Sequence, residues 1–151
     1  MNNKNRGPAV LLMADDDADD RLLAREALAE SGVTSLLEFV ADGVELMEYL
    51  TSTGAYADNP HPLPGIILLD LNMPRMDGLE ALVQIKKDPK LRLIPVIVFT
   101  TSSSKDDLIK SYAMGAASFL TKPPSFEKLV ELMSSLGHYW FDFVQLPARA
   151  D

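Results

Sequence analysis

The feature that most limits the fold of this chain is a set of short runs without a polar residue. Ala9–Ala14 (AVLLMA), Ile66–Leu69 (IILL) and Ile94–Phe99 (IPVIVF) are apolar throughout. Continuous apolar runs of this length read as strands buried on both faces, the pattern of a parallel sheet covered by helices. Leu36–Val40 and Ala117–Thr121 complete a set of five strands. Pro95 stands near the start of its strand, where a missing N–H is tolerated. The stretches between strands have helical spacing. Ala18–Glu30 has Leu22, Leu23, Ala27 and Leu28 at helical spacing and closes at Gly32. Val44–Leu50 follows Asp42-Gly43, and Leu79–Lys87 stops before Pro89. Ser104–Met114 opens on an N-cap serine, with Asp106 and Asp107 in the first turn, where the helix dipole favours negative charge. Ser125 caps a last helix that the spacing carries to Gln145, a length of about 31 Å. Thr51–Pro64 holds prolines, glycines and small polar residues and reads as a loop.

Strand followed by helix, five times over, predicts an α/β fold: a flavodoxin-like doubly wound five-stranded parallel sheet of order 2-1-3-4-5, with an extended C-terminal helix. Residues 1–8 read as a disordered lead-in, 9–136 as the body, and 137–151 as an extension of the last helix. In such sheets ligands bind beyond the carboxyl ends of the strands.

Composition narrows what that site can be. The 151 residues suit a single domain. With no cysteine, disulfides, iron–sulfur clusters and thiolate zinc sites are excluded. Two histidines, His61 and His138, are too few for a histidine-built metal centre. The net charge of −8 makes nucleic acid and anionic membrane poor partners, because phosphate backbones need clusters of Lys and Arg. No apolar run approaches the roughly 18 residues of a membrane span. The polar start, Met1–Arg6, is unlike a signal peptide, so the expected address is the cytoplasm.

Polar residues gather where the strands end. Strand one runs into Asp15, Asp16 and Asp17, strand three into Asp70, strand four into Thr100, Thr101 and Ser102, and strand five into Lys122. Each alone has an ordinary explanation: a capping acidic loop, a turn residue, a strand-end hydroxyl, a surface lysine. Parallel strands would bring them to one rim. Carboxylates crowded there resist ionisation unless a cation sits among them. An all-oxygen set points to Mg²⁺ or a similar hard ion, which takes one or two carboxylates and leaves another free as a nucleophile. A lysine and a hydroxyl nearby suit the oxygens of a phosphoryl group.

Four motifs in order, LLMADDD, IILLDLNMPRMDG, PVIVFTTS and FLTKP, resemble the receiver domain of two-component response regulators over roughly Val10–Leu136. The resemblance implies Asp70 as phosphoacceptor. It implies Mg²⁺ held by Asp15, Asp16, Asp70 and the backbone carbonyl of Asn72, with Asp16 the more direct ligand. It implies Thr100 as switch hydroxyl, Lys122 as partner of the phosphoryl group, and Phe119 as the aromatic rotamer switch. The acidic pair has two registers, Asp15–Asp16 or Ala14–Asp15; the first also fits Arg21 and the helix Arg25-Glu26-Ala27-Leu28. Thr101 stands where the family often has alanine and is a candidate modulator of phosphoryl lifetime. The partner implied is a sensor histidine kinase, and the protein is not expected to be an enzyme with a separate substrate.

After Lys122 only 29 residues remain, too few for a DNA-binding or catalytic output domain. The expectation is a stand-alone receiver whose output is a protein contact or a relay to a downstream phosphotransfer protein. Four of the eleven aromatics lie within Tyr139–Phe143. Tyr139, Trp140, Phe143 and Val144 are the expected surface for a homodimer or partner; the alternative is that they tuck back over the body. The ending HYWFDFVQLP resembles the tails of small regulators that pair with bacterial phytochromes. Two other functions fit less well. A phosphohydrolase with an aspartyl-phosphate intermediate would carry its nucleophile on strand one. A flavodoxin-like cofactor binder would need a Ser/Thr/Gly-rich first loop in place of Asp15–Asp20.

Overall fold

The computed structural model describes residues 9–58 and 62–149. The lead-in expected over residues 1–8 lies outside them, as do 59–61 of the long loop. The element order is β1 (Val10–Ala14), α1 (Ala18–Ser31), β2 (Leu36–Val40), α2 (Gly43–Thr51), β3 (Ile66–Leu69), α3 (Gly78–Lys87), β4 (Val96–Thr100), α4 (Lys105–Ala113), β5 (Ser118–Thr121) and α5 (Phe126–Gly137). The five strands are all parallel and run β2-β1-β3-β4-β5 across the sheet. That is the doubly wound order expected from the strand–helix alternation. The expected loop over Thr51–Pro64 contains a short 3-10 turn, Gly54–Tyr56.

Every residue of β3 and β4 is buried, which is why Ile66–Leu69 and Val96–Phe99 carry no polar residue; Thr100, at the end of β4, is the buried hydroxyl at the rim. Successive side chains point to opposite faces, so the sheet builds two cores. Leu11, Met13, Ile66, Leu68, Ile97 and Phe99 face α1 and α5, meeting Ala24, Ala27, Leu28, Leu129 and Met133. Leu12, Ala14, Ile67, Leu69, Val96 and Val98 face α2 and α3, meeting Leu46, Leu50, Ala81, Leu82 and Ile85. Truncating one of these fully buried side chains, such as Met133 or Leu82, costs about 2–5 kcal/mol.

Local signals start each helix. Asp17, Asp42, Asp77, Ser104 and Ser125 each cap an amino terminus, with a side-chain oxygen accepting a backbone N–H of the first turn. Gly32 ends α1 at φ 77°, a left-handed conformation that glycine adopts without strain. Gly78 has another reason to be glycine: a Cβ there would overlap the carbonyl oxygen of Asp70. The first turn of α3 therefore rests directly on the backbone that follows β3.

The tail departs from the long straight helix. The α-helix ends at Gly137, and a π-helical turn runs from His138 to Phe143. The wider turn re-aims the aromatics, and the chain then leaves the helix. Leu146 comes back beneath the sheet and is buried in the same core as Leu11, Ile66 and Leu136. Trp140, Phe141 and Val144 pack partly against that core. Tyr139 and Phe143 stay exposed, at 58% and 76%. Trp140 and Val144 therefore tuck back over the body, while Tyr139 and Phe143 stand at the surface. Among the described residues, no helix is long and apolar enough to cross a membrane.

Candidate functional site

The parallel register places the acidic residues side by side. Ala14 pairs with Leu69, and the Asp70 N–H donates to the Ala14 carbonyl at 3.0 Å. The next residue on β1 is Asp15 and the next on β3 is Asp70, so both carboxylates leave the sheet at one height. Oxygens of Asp15, Asp16 and Asp70 lie within 4.8 Å of one another. Asp15 is fully buried and Asp70 nearly so, whereas Asp16 is exposed at the mouth. Ala14 offers no ligand atom, and its side chain is part of the core under α2 and α3.

Lys122, just beyond β5, reaches over this rim. Its Nζ donates to Asp15 Oδ2 at 2.7 Å, to Asp20 Oδ2 at 2.7 Å and to Asp70 Oδ2 at 3.2 Å. Its ammonium also sits 5.9 Å from the centre of the Phe99 ring. Burial favours the uncharged amine, but the bonds to Asp15 and Asp20 outweigh it and hold Lys122 protonated well above its usual range. Asp15 shows the opposite balance. Burial pushes its carboxyl up, and the bonds from Lys122 and the Asp17 N–H (2.9 Å) offset that only in part. One lysine cannot neutralise this many carboxylates.

Backbone contacts fix the surroundings. Arg21 donates to the Asp15 carbonyl at 2.6 Å, tying α1 to the end of β1. The Asn72 N–H turns back to Asp70 Oδ1 at 3.4 Å, so the loop after β3 curls around the acid. Thr100 is fully buried; its hydroxyl accepts from the Ser102 N–H at 3.2 Å, and its carbonyl accepts from the Lys122 N–H at 2.7 Å. Thr101 is exposed beside it. Phe119 is half-buried and packs against the core under α2 and α3, on the face opposite Lys122's neighbour Phe99.

Two contacts escaped the sequence reading. Asp20 is one of five aspartates in Asp15–Asp20, and nothing in the sequence separates it from Asp19. Only the rotation of α1 about its axis turns it to Lys122. The second is a bidentate pair, Arg75 Nε to Asp42 Oδ2 at 2.8 Å and Arg75 Nη2 to Asp42 Oδ1 at 3.1 Å. It ties the loop after β3 to the cap of α2. The spacing of 33 residues hides it.

An all-oxygen group of three carboxylates, one of them buried against its own charge, fits a divalent cation. The fit draws no nitrogen or sulfur ligand.

The response regulator receiver domain family matches residues 11–134 of the chain. Response regulator Rcp1 of Synechocystis sp. is 37% identical over 148 residues, covering 98% of this chain and 99% of Rcp1. The structure of Rcp1 in its Mn²⁺-bound form superposes with a TM-score of 0.83 at 38% identity, covering 93% of this chain and 99% of that one. The phosphorylated cyanobacterial phytochrome response regulator RcpA gives a TM-score of 0.85 at 37% identity, with the same coverage of 93% and 99%. Response regulator RPA3017, in red light signaling of R. palustris, gives 0.84 at 34% identity, covering 92% and 98%. With the receiver match spanning most of its length, this chain belongs to the response regulator receiver domain family.

Proposed function

We propose that this response regulator takes a phosphoryl group on Asp70 from a sensor histidine kinase, in a reaction that depends on Mg²⁺. The observation that carries the reading is one carboxylate, Asp70, facing both an acidic pair within 4.8 Å and a lysine at 3.2 Å. Asp15, Asp16, Asp70 and the Asn72 carbonyl would hold the ion, which supplies neutralisation of charge on the phosphoryl oxygens. The rest belongs to the chain's own side chains. An Asp70 oxygen bonds to phosphorus as the bond from phosphorus to the donor's ring nitrogen breaks, and the imidazole, whose other nitrogen already carries a proton, takes the electron pair and leaves as the neutral base. Lys122 exchanges its long bond to Asp70 for a phosphoryl oxygen. Thr100 turns its hydroxyl to the same group, and Phe119 fills the space it leaves. The surface of α4 and β5 then changes shape, a two-state element biased by local charge. Thr101, exposed next to Thr100, restricts water at the acyl phosphate and lengthens its life; an unchanged dephosphorylation rate in Thr101→Ala would refute this.

The partner class follows from the relatives. Phytochrome and red-light regulators of similar sequence support a bacterial phytochrome as the kinase, in the cytoplasm. The output is a protein contact or a relay to a downstream phosphotransfer protein, with no nucleic acid and no separate substrate, so the chain is not an enzyme in its own right. Tyr139, Trp140, Phe143 and Val144 support a homodimer or partner surface. Tyr139 and Trp140 border an apolar groove of about 590 Å³ with Leu120, Pro124, Leu132 and Leu136, and exposed apolar patches of this kind mark interfaces. Sedimentation of the chain truncated at Gly137 tests that part, and an unchanged oligomeric state rejects it.

Asp70→Asn tests the central claim. Labelling by a phosphorylated kinase or by acetyl phosphate should fall below detection while the protein stays folded. Labelling at the wild-type level would place the phosphoacceptor elsewhere.

A further inference from the structure

Lys122 has three carboxylate partners, and one of them has no part in the phosphotransfer described above. Asp15 and Asp70 stand at strand ends. Asp20 stands in the first turn of α1, three residues past the N-cap Asp17. Its Oδ2 accepts from Lys122 Nζ at 2.7 Å, as short as the bond to Asp15 and shorter than the 3.2 Å to Asp70. An ammonium has three donors, and all three are engaged. Asp20 does not belong to the carboxylate group that can hold an ion. It is therefore the one partner of Lys122 for which a divalent cation does not compete.

We infer that Asp20 is a positioning residue: it anchors the Lys122 ammonium from α1 and so aims the remaining donor at Asp70. The inference rests on the proposed role of Lys122 in phosphotransfer. A lysine side chain carries about 2 kcal/mol of rotamer entropy, and a charge-assisted bond at 2.7 Å is strong enough to hold it. Once a cation claims Asp15, Asp20 becomes the main restraint on where Nζ sits. The long bond to Asp70 is the one given up to the incoming phosphoryl group, while the short bond to Asp20 persists. Asp17 and Asp19 differ from Asp20 in both contact and exposure. Their side chains are exposed and do not meet Lys122, whereas the Asp20 side chain is 32% exposed.

The test uses the full chain with acetyl phosphate as donor, in two backgrounds. At saturating Mg²⁺, Asp20→Ala should lower the phosphorylation rate constant about tenfold, the scale of one charge-assisted hydrogen bond. The half-saturating Mg²⁺ concentration should stay within about threefold of wild type, because Asp20 lies outside the ion's ligand group. Asp20→Glu, which keeps the charge, should recover most of the loss. In a Lys122→Met background, Asp20→Ala should change nothing further. The ammonium ¹⁵N resonance of Lys122 in the Mg²⁺-free protein gives a readout without phosphotransfer: it should be observed in wild type and broadened by exchange in Asp20→Ala. A wild-type rate in Asp20→Ala, an equal loss in both backgrounds, a loss that high Mg²⁺ abolishes, or an unchanged Lys122 resonance would each overturn the inference. Labelling of Asp70→Asn would instead sink the phosphoacceptor reading itself.

Discussion

Asp15 and Asp42 are the same residue type, both buried, both just past the end of a strand, and their carboxyls are pushed in opposite directions. Burial raises both. At Asp42 the fork of Arg75 and the N–H of Glu45 (2.8 Å) overcome it, and the carboxyl ends below its usual range. At Asp15 one lysine is shared with Asp20 and Asp70, and burial wins. The surroundings of Asp42 are balanced throughout. Glu45 accepts from the Ala41 N–H at 2.7 Å and from the Tyr56 hydroxyl at 2.8 Å. The rim at Asp15 is left with surplus negative charge. The difference teaches where stability has been given up: the carboxylate at Asp42 is matched with donors, and the one at Asp15 is left short of positive charge in a group able to hold a divalent cation.

Four experiments press on this contrast. Lys122→Ala should have the largest effect. It removes the ammonium that three carboxylates share, and stability without metal should fall by about 3 kcal/mol. Urea midpoints should show Mg²⁺ restoring part of that loss. Full stability without Mg²⁺ would mean the rim carries no surplus charge. Asp42→Ala should cost about 1.5 kcal/mol through the lost cap and the lost arginine pair. Mg²⁺ should restore none of it, since Asp42 is outside the ion's ligand group.

The two acids should also titrate in opposite senses. A depressed folded pKa gives stability that is present above the unfolded value of 3.8 and lost as pH falls through the folded one. The advantage of wild type over Asp42→Ala should therefore shrink below pH 3.8. A raised folded pKa works the other way: the contribution is complete below 3.8 and is lost as pH rises through the folded value. Asp15→Asn should accordingly be more stable than wild type at neutral pH without Mg²⁺, by about 1 kcal/mol, with the gap closing as pH falls. A destabilised Asp15→Asn at pH 7 would reverse the reading of the rim.

Arg75→Gly should show the smallest effect. Arg75 has φ 64°, a left-handed conformation that glycine adopts without strain. Relief of that strain offsets the loss of a bridge whose arginine side chain is 57% exposed, and urea denaturation should register less than about 0.5 kcal/mol. Arg75→Ala lacks that relief and should lose more.

Much of this was legible in the residues. Strands buried on both faces need apolar runs, so β1, β3 and β4 could be read directly, and the residue after each run names the rim. Asp15, Asp70 and Thr100 follow from those runs, and Lys122 from the end of the less apolar β5. The last helix does run on to Phe143, but its change to a π-turn after Gly137 is not legible, because Leu136, Trp140, Phe143 and Val144 recur at a spacing that serves an α-helix and a π-turn alike. Arg75 gave no warning of its left-handed backbone, since the usual marker is glycine or asparagine. Asp20 was hidden among its like. Which aspartate of a cluster meets a lysine 102 residues away is set by the helix's rotation, and that depends on the packing of Ala24, Ala27 and Leu28 more than on any residue nearby.

The pairing of Ala14 with Leu69 has a consequence for how this molecule can change over generations. Neighbouring parallel strands lie about 4.8 Å apart, so the sheet's own repeat is the ruler that spaces Asp15 from Asp70. Inserting or deleting a residue in either strand would swing its acid to the far side of the sheet. The same event in the connection between α3 and β4 would leave the ruler untouched. Length variation among descendants should collect in such connections and spare the strands.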